Sequence, residues 1–150
     1  VVVKLLNIAH PTRAYFGQKD YQQGLIIQRL AADLNMQAEI VLCPTVREPD
    51  GLAMSSRNSY LNPEGRKAAA VIYKSLSEAA EKVKSGTTDA RAVRDFMHGA
   101  LKSEPLVTEI QYASIYDPRT LLELTDVGKN PLLAVAVKIG ETRLIDNLTV

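Results

Sequence analysis

Two runs, Gly17-Gln18-Lys19-Asp20-Tyr21-Gln22-Gln23 and Met54-Ser55-Ser56-Arg57-Asn58, hold the residue types best suited to an anionic ligand in this 150-residue chain. In the first, Gly17 permits close backbone approach, Lys19 supplies a mobile positive charge suited to phosphate, and Asp20 can accept from a ribose hydroxyl. The Gln23 amide both donates and accepts. Spacings of three and four residues place Asp20, Lys19 and Gln23 on one helical face. In the second run, two hydroxyls, their backbone amides and a planar guanidinium form a compact donor set. Such a set grips a triphosphate and stabilises charge during displacement. Each run also has a plainer reading. Asp20 can be a helix N-cap beside solvated Lys19 and Gln23, and Ser55 to Asn58 can be turn residues of a surface loop. On spacing alone the plainer reading is favoured for both runs.

Other chemistries find little support. The single cysteine, Cys43, builds neither a disulfide framework nor a thiolate metal cluster, and is expected to be a buried small hydrophobe. His10 and His98 are too few and too distant in sequence for a metal site, so no metal-ligating residues are expected. Neither loop serine lies in a Gly-x-Ser-x-Gly elbow, which argues against covalent catalysis. With 18 basic and 17 acidic residues the net charge is +1, and no strong field invites nucleic acid or an anionic membrane. No apolar run approaches the roughly 20 residues that cross a bilayer. A reducing cytoplasm fits this composition.

The elements that must position these runs follow from periodicity. Residues 1 to 9 are expected to be a helix ending before Pro11, and Ala14-Tyr15-Phe16 a short strand that breaks at Gly17. From Asp20 to Asn35, Ile26, Ile27, Leu30, Ala31 and Leu34 recur at helical spacing, and Glu39 to Cys43 is a β-rich run closed by Pro44. Strand, helix and strand make one right-handed parallel crossover. The first run then sits where a strand ends and a helix begins, the end at which open α/β sheets bind ligands. Residues 45 to 62 lack periodicity and are expected to be a polar loop at a domain boundary. Asn62-Pro63 caps one long helix running to Gly86, with Ala68, Ile72, Leu76, Ala79 and Val83 on one face. A second helix starts near Thr88 or Asp89, buries Val93, Phe96, Met97, Ala100 and Leu101, and stops before Pro105. Residues 107 to 116, 132 to 139 and 142 to 150 alternate as strands, with Gly140-Glu141 as a tight turn, and give a small antiparallel sheet.

Taken together, Tyr15-Phe16-Gly17-Gln18-Lys19-Asp20 and the continuous stretch from Pro44 to Asn58 (PTVREPDGLAMSSRN) closely resemble pantothenate synthetase. Tyr112-Ala113-Ser114-Ile115-Tyr116-Asp117-Pro118 is similar to that family's C-terminal domain. The resemblance implies an ATP-dependent ligase that joins pantoate to β-alanine through pantoyl adenylate, releasing AMP and pyrophosphate, with Mg2+ carried on the triphosphate. It implies an α/β fold: the remainder of a Rossmann-like nucleotidyltransferase domain over 1–45, then a smaller α+β domain of helices and antiparallel sheet over 46–150. By resemblance Gly17, Gln18, Lys19 and Asp20 contact ATP, with Lys19 on the phosphates and Asp20 on the ribose. Gln23 holds pantoate and Val46 lies near the adenine. Met54, Ser55, Ser56 and Arg57 match the second ATP loop, and Lys19, Ser55, Ser56 and Arg57 form the implied catalytic set. A cytoplasmic homodimer is implied for the full-length enzyme. The family's His-x-Gly-His motif is absent, and the chain starts without methionine inside an apolar segment. The expectation is a piece lacking the N-terminal part and inactive alone. The competing readings are a noncatalytic module that keeps the family's helices and sheet, and a nucleotidyltransferase acting on another acid or on a phosphorylated alcohol.

Overall fold

The computed structural model describes residues 1–150, which form two compact units, Val1–Thr45 and Val46–Val150. Each contains its own sheet, parallel in the first and antiparallel in the second, so the chain is mixed α/β.

The first unit is helix, strand, helix, strand. α1 (Val2–Ala9) ends at His10, whose left-handed backbone (φ 43) returns its N–H to Leu6 O at 3.0 Å before Pro11 forbids continuation. β1 (Arg13–Gly17) pairs in parallel with β2 (Glu39–Cys43), from Arg13 opposite Glu39 to Gly17 opposite Cys43. Parallel neighbours need a crossover, and α2 (Tyr21–Asp33) supplies it after a 3-10 turn at Gln18–Asp20. The side of α2 that packs is Gly24, Ile27 and Ala31. Gly24 is small for a reason: a Cβ there would lie 2.6 Å from Leu42 Cδ2 of β2. Two expectations need correction. Ile26 and Leu34 are exposed, because a two-stranded sheet covers only a narrow stripe of the helix. Cys43 is half-buried, since it ends a strand pair with no third strand beside it.

The second unit buries helices against one three-stranded meander. Asn62 Oδ1 accepts from Gly65 N at 2.7 Å and Pro63 occupies the first turn, which starts α3 (Pro63–Ala68) as the sequence indicates. The long helix expected here is interrupted at Ala69, which keeps right-handed helical dihedrals (φ −60, ψ −21) and donates to Gly65 O at 2.9 Å before α4 (Ala70–Lys84). Asp89 Oδ1 caps Arg91 N at 2.8 Å and opens α5 (Ala90–Lys102). Val93, Met97 and Leu101 of α5 are fully buried, whereas Phe96 and Ala100 are half-buried, with Lys82 Nζ 4.5 Å over the Phe96 ring. β3 (Val107–Tyr116), β4 (Leu132–Ile139) and β5 (Thr142–Thr149) follow in that order across the sheet. Ile139 faces Thr142 across the two-residue turn, where Gly140 takes φ +56. The segment 117–131 runs back along the unit, bridging Glu123 to Tyr116 and Asp126 to Asp89.

Ile72 and Leu76 of α4, Met97 and Leu101 of α5, and Ile115, Leu133, Val135 and Val137 of the sheet are the heart of the core. Each such side chain contributes about 1.5–3 kcal/mol by leaving water. Leu76→Ala therefore removes transfer energy and leaves a cavity, costing about 2–5 kcal/mol. Urea unfolding should show a lower midpoint with an unchanged slope.

Candidate functional site

The first cluster sits at the C-terminal end of β1. Gly17 is the last residue of that strand, Lys19 and Asp20 lie in the 3-10 turn, and Gln23 is in the first turn of α2. One segment thus presents all of them near a helix start, where backbone N–H groups point outward. Gly17 has an ordinary extended backbone (φ −73), and a Cβ there would meet nothing within 4 Å. Neither strain nor packing within this chain demands glycine there. The plainer reading of Asp20 fails: it occupies the N-cap position, yet its side chain makes no capping hydrogen bond. Its carboxyl is exposed, as is the Gln23 amide. Lys19 and Gln18 are half-buried and engaged.

The second cluster is carried by an ordered hairpin rather than an irregular loop. Met54 N donates to Val46 O at 2.9 Å, Glu48 N to Leu52 O at 2.9 Å, and Arg47 bridges Ala53. Glu48-Pro49-Asp50-Gly51 closes the tip through Gly51 N to Glu48 O at 2.9 Å. Proline at the second turn position presets its φ, and Gly51 takes φ +89. Glycine is obligatory there, because a Cβ would come within 2.3 Å of Tyr73 Cδ1. Leu52 and Ala53 point into the unit and are buried, while Val46 and Met54, opposite one another, are 65% and 50% exposed. After the hairpin, Ser55 Oγ accepts from Arg57 N at 3.3 Å and starts a 3-10 turn over Ser56–Tyr60. Asn58 turns inward, donating through Nδ2 to Ala53 O at 3.1 Å. Ser56 and Arg57 are exposed, and the Arg57 guanidinium has no protein partner.

The hairpin holds two arginine-anchored ties. At the tip, Arg66 forks onto Asp50, with Nη2 to Oδ1 at 3.1 Å. At the base, Arg47 forks onto Asp146 of β5 at 2.6 and 3.0 Å, and its side chain is only 17% exposed. Arg47 therefore differs from its loop neighbour Arg57: one guanidinium is turned in and spent, the other is turned out and free. Sequence reasoning did not single out Arg47, Asp146, Tyr73 or Gly51. A signal existed in β5, where Asp146 shares its parity with the buried Leu144 and the half-buried Leu148. A charge at a core-facing strand position requires a partner.

No group of three or more His, Cys, Asp or Glu side chains is arranged to hold a metal ion. No helix is long and apolar enough to cross a membrane.

Comparison with known proteins gives a consistent result. The family model described as pantoate-beta-alanine ligase matches residues 1–149. The pantothenate synthetase of Thermodesulfovibrio yellowstonii is 58% identical over 150 residues, covering 100% of this chain and 53% of that protein. That of Herpetosiphon aurantiacus is 54% identical over 149 residues, covering 99% and 54%. The crystal structure of pantothenate synthetase from Thermus thermophilus superposes with a TM-score of 0.93 at 44% identity, over 98% of this chain and 52% of that one. The Francisella tularensis pantoate-beta-alanine ligase, complexed with beta-gamma ATP and beta-alanine, gives 0.67 at 30% identity, over 99% and 47%. The chain thus spans about half the length of the relatives it matches.

The tip of the hairpin carries a pH dependence. The hydrogen bond from Arg66 holds the Asp50 carboxyl below its ordinary range, against the opposing effect of burial. The unfolded chain takes up a proton that the folded hairpin resists. The pair's contribution is thus complete above about pH 4 and lost as the pH falls below it. Denaturant unfolding between about pH 6 and pH 2.5 should show stability declining with acid, and a shallower decline in Asp50→Asn.

Proposed function

Because the chain belongs to the pantoate–β-alanine ligase family, we propose that it forms the C-terminal part of an enzyme condensing pantoate with β-alanine at the expense of ATP. Residues 1–45 are then the remainder of a Rossmann-like nucleotide-binding domain, and 46–150 the smaller α+β domain. The observation that carries the reading is the pair of presented clusters, each of which keeps at least one group unspent on the fold although Gln18, Lys19 and Ser55 are engaged. Gly17 leaves open space, the Asp20 side chain does not cap its helix, and Arg57 is exposed without a partner.

In this reading Gly17, Gln18, Lys19 and Asp20 contact ATP, with Lys19 on its phosphates and Asp20 on the ribose, while Gln23 holds pantoate. Val46 and Met54, adjacent across the hairpin, offer an apolar surface for the adenine side. Ser55, Ser56 and Arg57 offset charge as pyrophosphate leaves. The pantoate carboxylate, ionised near neutral pH, attacks the α-phosphorus and expels pyrophosphate; the β-alanine amine then attacks the acyl carbon and expels AMP. A carboxylate nucleophile needs no general base, so positioning and charge stabilisation carry the rate. Mg2+ would arrive on the triphosphate and help neutralise it. The relatives' greater length supports assigning the His-x-Gly-His motif and the rest of the pantoate pocket to an upstream half. The full-length enzyme is then a cytoplasmic homodimer.

The test is ATP–pyrophosphate exchange by the full-length enzyme, which should require pantoate. Exchange with another acid but not with pantoate would overturn the assignment. Arg57→Ala should lower the exchange rate by about 10²–10³-fold, the scale of losing one donor to a developing charge. Gly17→Ala should raise the KM for ATP without altering Tm. The isolated 150-residue chain should not turn over pantoate and β-alanine.

A further inference from the structure

We propose that Arg47, Asp146 and Tyr73 are positioning residues for the nucleotide half-reaction, fixing the base of the hairpin so that Val46 and Met54–Arg57 are presented together. The proposal rests on the functional reading above and adds residues that touch no substrate in it.

The terminal nitrogens of the Arg47 guanidinium are committed inside the protein. Nη1 donates to Asp146 Oδ2 at 2.6 Å and to Gly51 O at 3.1 Å; Nη2 donates to Asp146 Oδ1 at 3.0 Å and to Asn147 O at 3.3 Å. Four terminal donors meet four acceptors, so nothing remains for a phosphate on those nitrogens. One face of the guanidinium also lies 4.0 Å from the Tyr73 ring centroid. The Asp146 side chain is 1% exposed. A fork–fork pair with a stacked face fixes both distance and orientation, which an ammonium group does not.

The geometry explains how that fixation reaches the ligand-facing groups. Arg47 is one peptide from Val46, and it bridges Ala53, which is one peptide from Met54. The same guanidinium holds the tip through Gly51 O, and the tip rests on Tyr73 because Gly51 has no Cβ. A rotation at Arg47 therefore moves both strands of the hairpin at once. The hairpin keeps other anchors, namely the buried Leu52 and Ala53 and the Asp50–Arg66 pair at the tip. Weakening the base should consequently misplace the hairpin rather than detach it.

The experiment uses the full-length enzyme with Arg47→Lys, Asp146→Asn, the double variant, and Tyr73→Leu, which keeps the ion pair and removes the ring. Each substrate is varied in turn, and Tm is recorded. The expected result is a fall in kcat/KM for ATP of about tenfold to a hundredfold, the scale of an ångström-level misplacement. The KM values for pantoate and β-alanine should be unchanged, and the double variant no worse than the worse single. Variants with wild-type ATP kinetics overturn the proposal. So does an equal loss for all three substrates in proportion to the folded fraction, which marks a purely structural tie. Should Asp146→Asn fail to fold, Arg47→Lys and Tyr73→Leu decide the matter. Wild-type enzyme without pantoate-dependent exchange overturns the functional reading and the positioning role with it; wild-type exchange with unaltered variants overturns the positioning role alone.

Discussion

Taking a carboxylate out of water is unfavourable unless the fold supplies a partner with matching geometry. Asp146 sits on the core side of β5, and Arg47 meets it with two parallel hydrogen bonds. Much of the hairpin's arrangement follows from this demand. Arg47 must face inward, so its neighbour Val46 faces outward, and the hairpin alternation then buries Ala53 and exposes Met54. Tyr73 covers the open face of the guanidinium, which leaves no room for a side chain at residue 51. Replacing such a pair by apolar residues is often harmless to stability in other proteins. Its value here lies in a definite arrangement, since an apolar contact would tolerate sliding that a fork does not.

The two clusters are positioned by different physics. In the first unit, secondary structure suffices: a strand ends, a 3-10 turn follows, and a helix begins, so backbone hydrogen bonding alone fixes where Gly17, Lys19, Asp20 and Gln23 emerge. In the second, the hairpin pairs through one isolated bridge and is held by side chains from α3, α4 and β5. The first cluster inherits the rigidity of a sheet, whereas the second depends on specific contacts that a single substitution can remove.

That difference also decides what could be read from the sequence. The strand at Glu39–Cys43, the caps at Asn62 and Asp89, and the Gly140-Glu141 turn are local signals, and each appears where the residues indicate. The interruption at Ala69 carries no proline or glycine and was invisible. The order within residues 46 to 54 was equally hidden, because its determinants are remote in sequence and lie in the tertiary fold. Family resemblance implied ligand contacts for several residues of that stretch, but it gave no hint that one arginine of the loop pairs with Asp146. Asp20 shows the opposite case, where a sequence rule offered a structural role that the geometry does not use.

The separation of Arg47 from Asp146, 99 residues along the chain, has a consequence for biosynthesis. A polypeptide emerges from the ribosome in order, and contacts between distant segments form late. The hairpin is synthesised before every helix and strand of its unit, but its buried partner arrives only with β5, after all of them. The base of the hairpin is therefore locked only once the core that supports it can assemble.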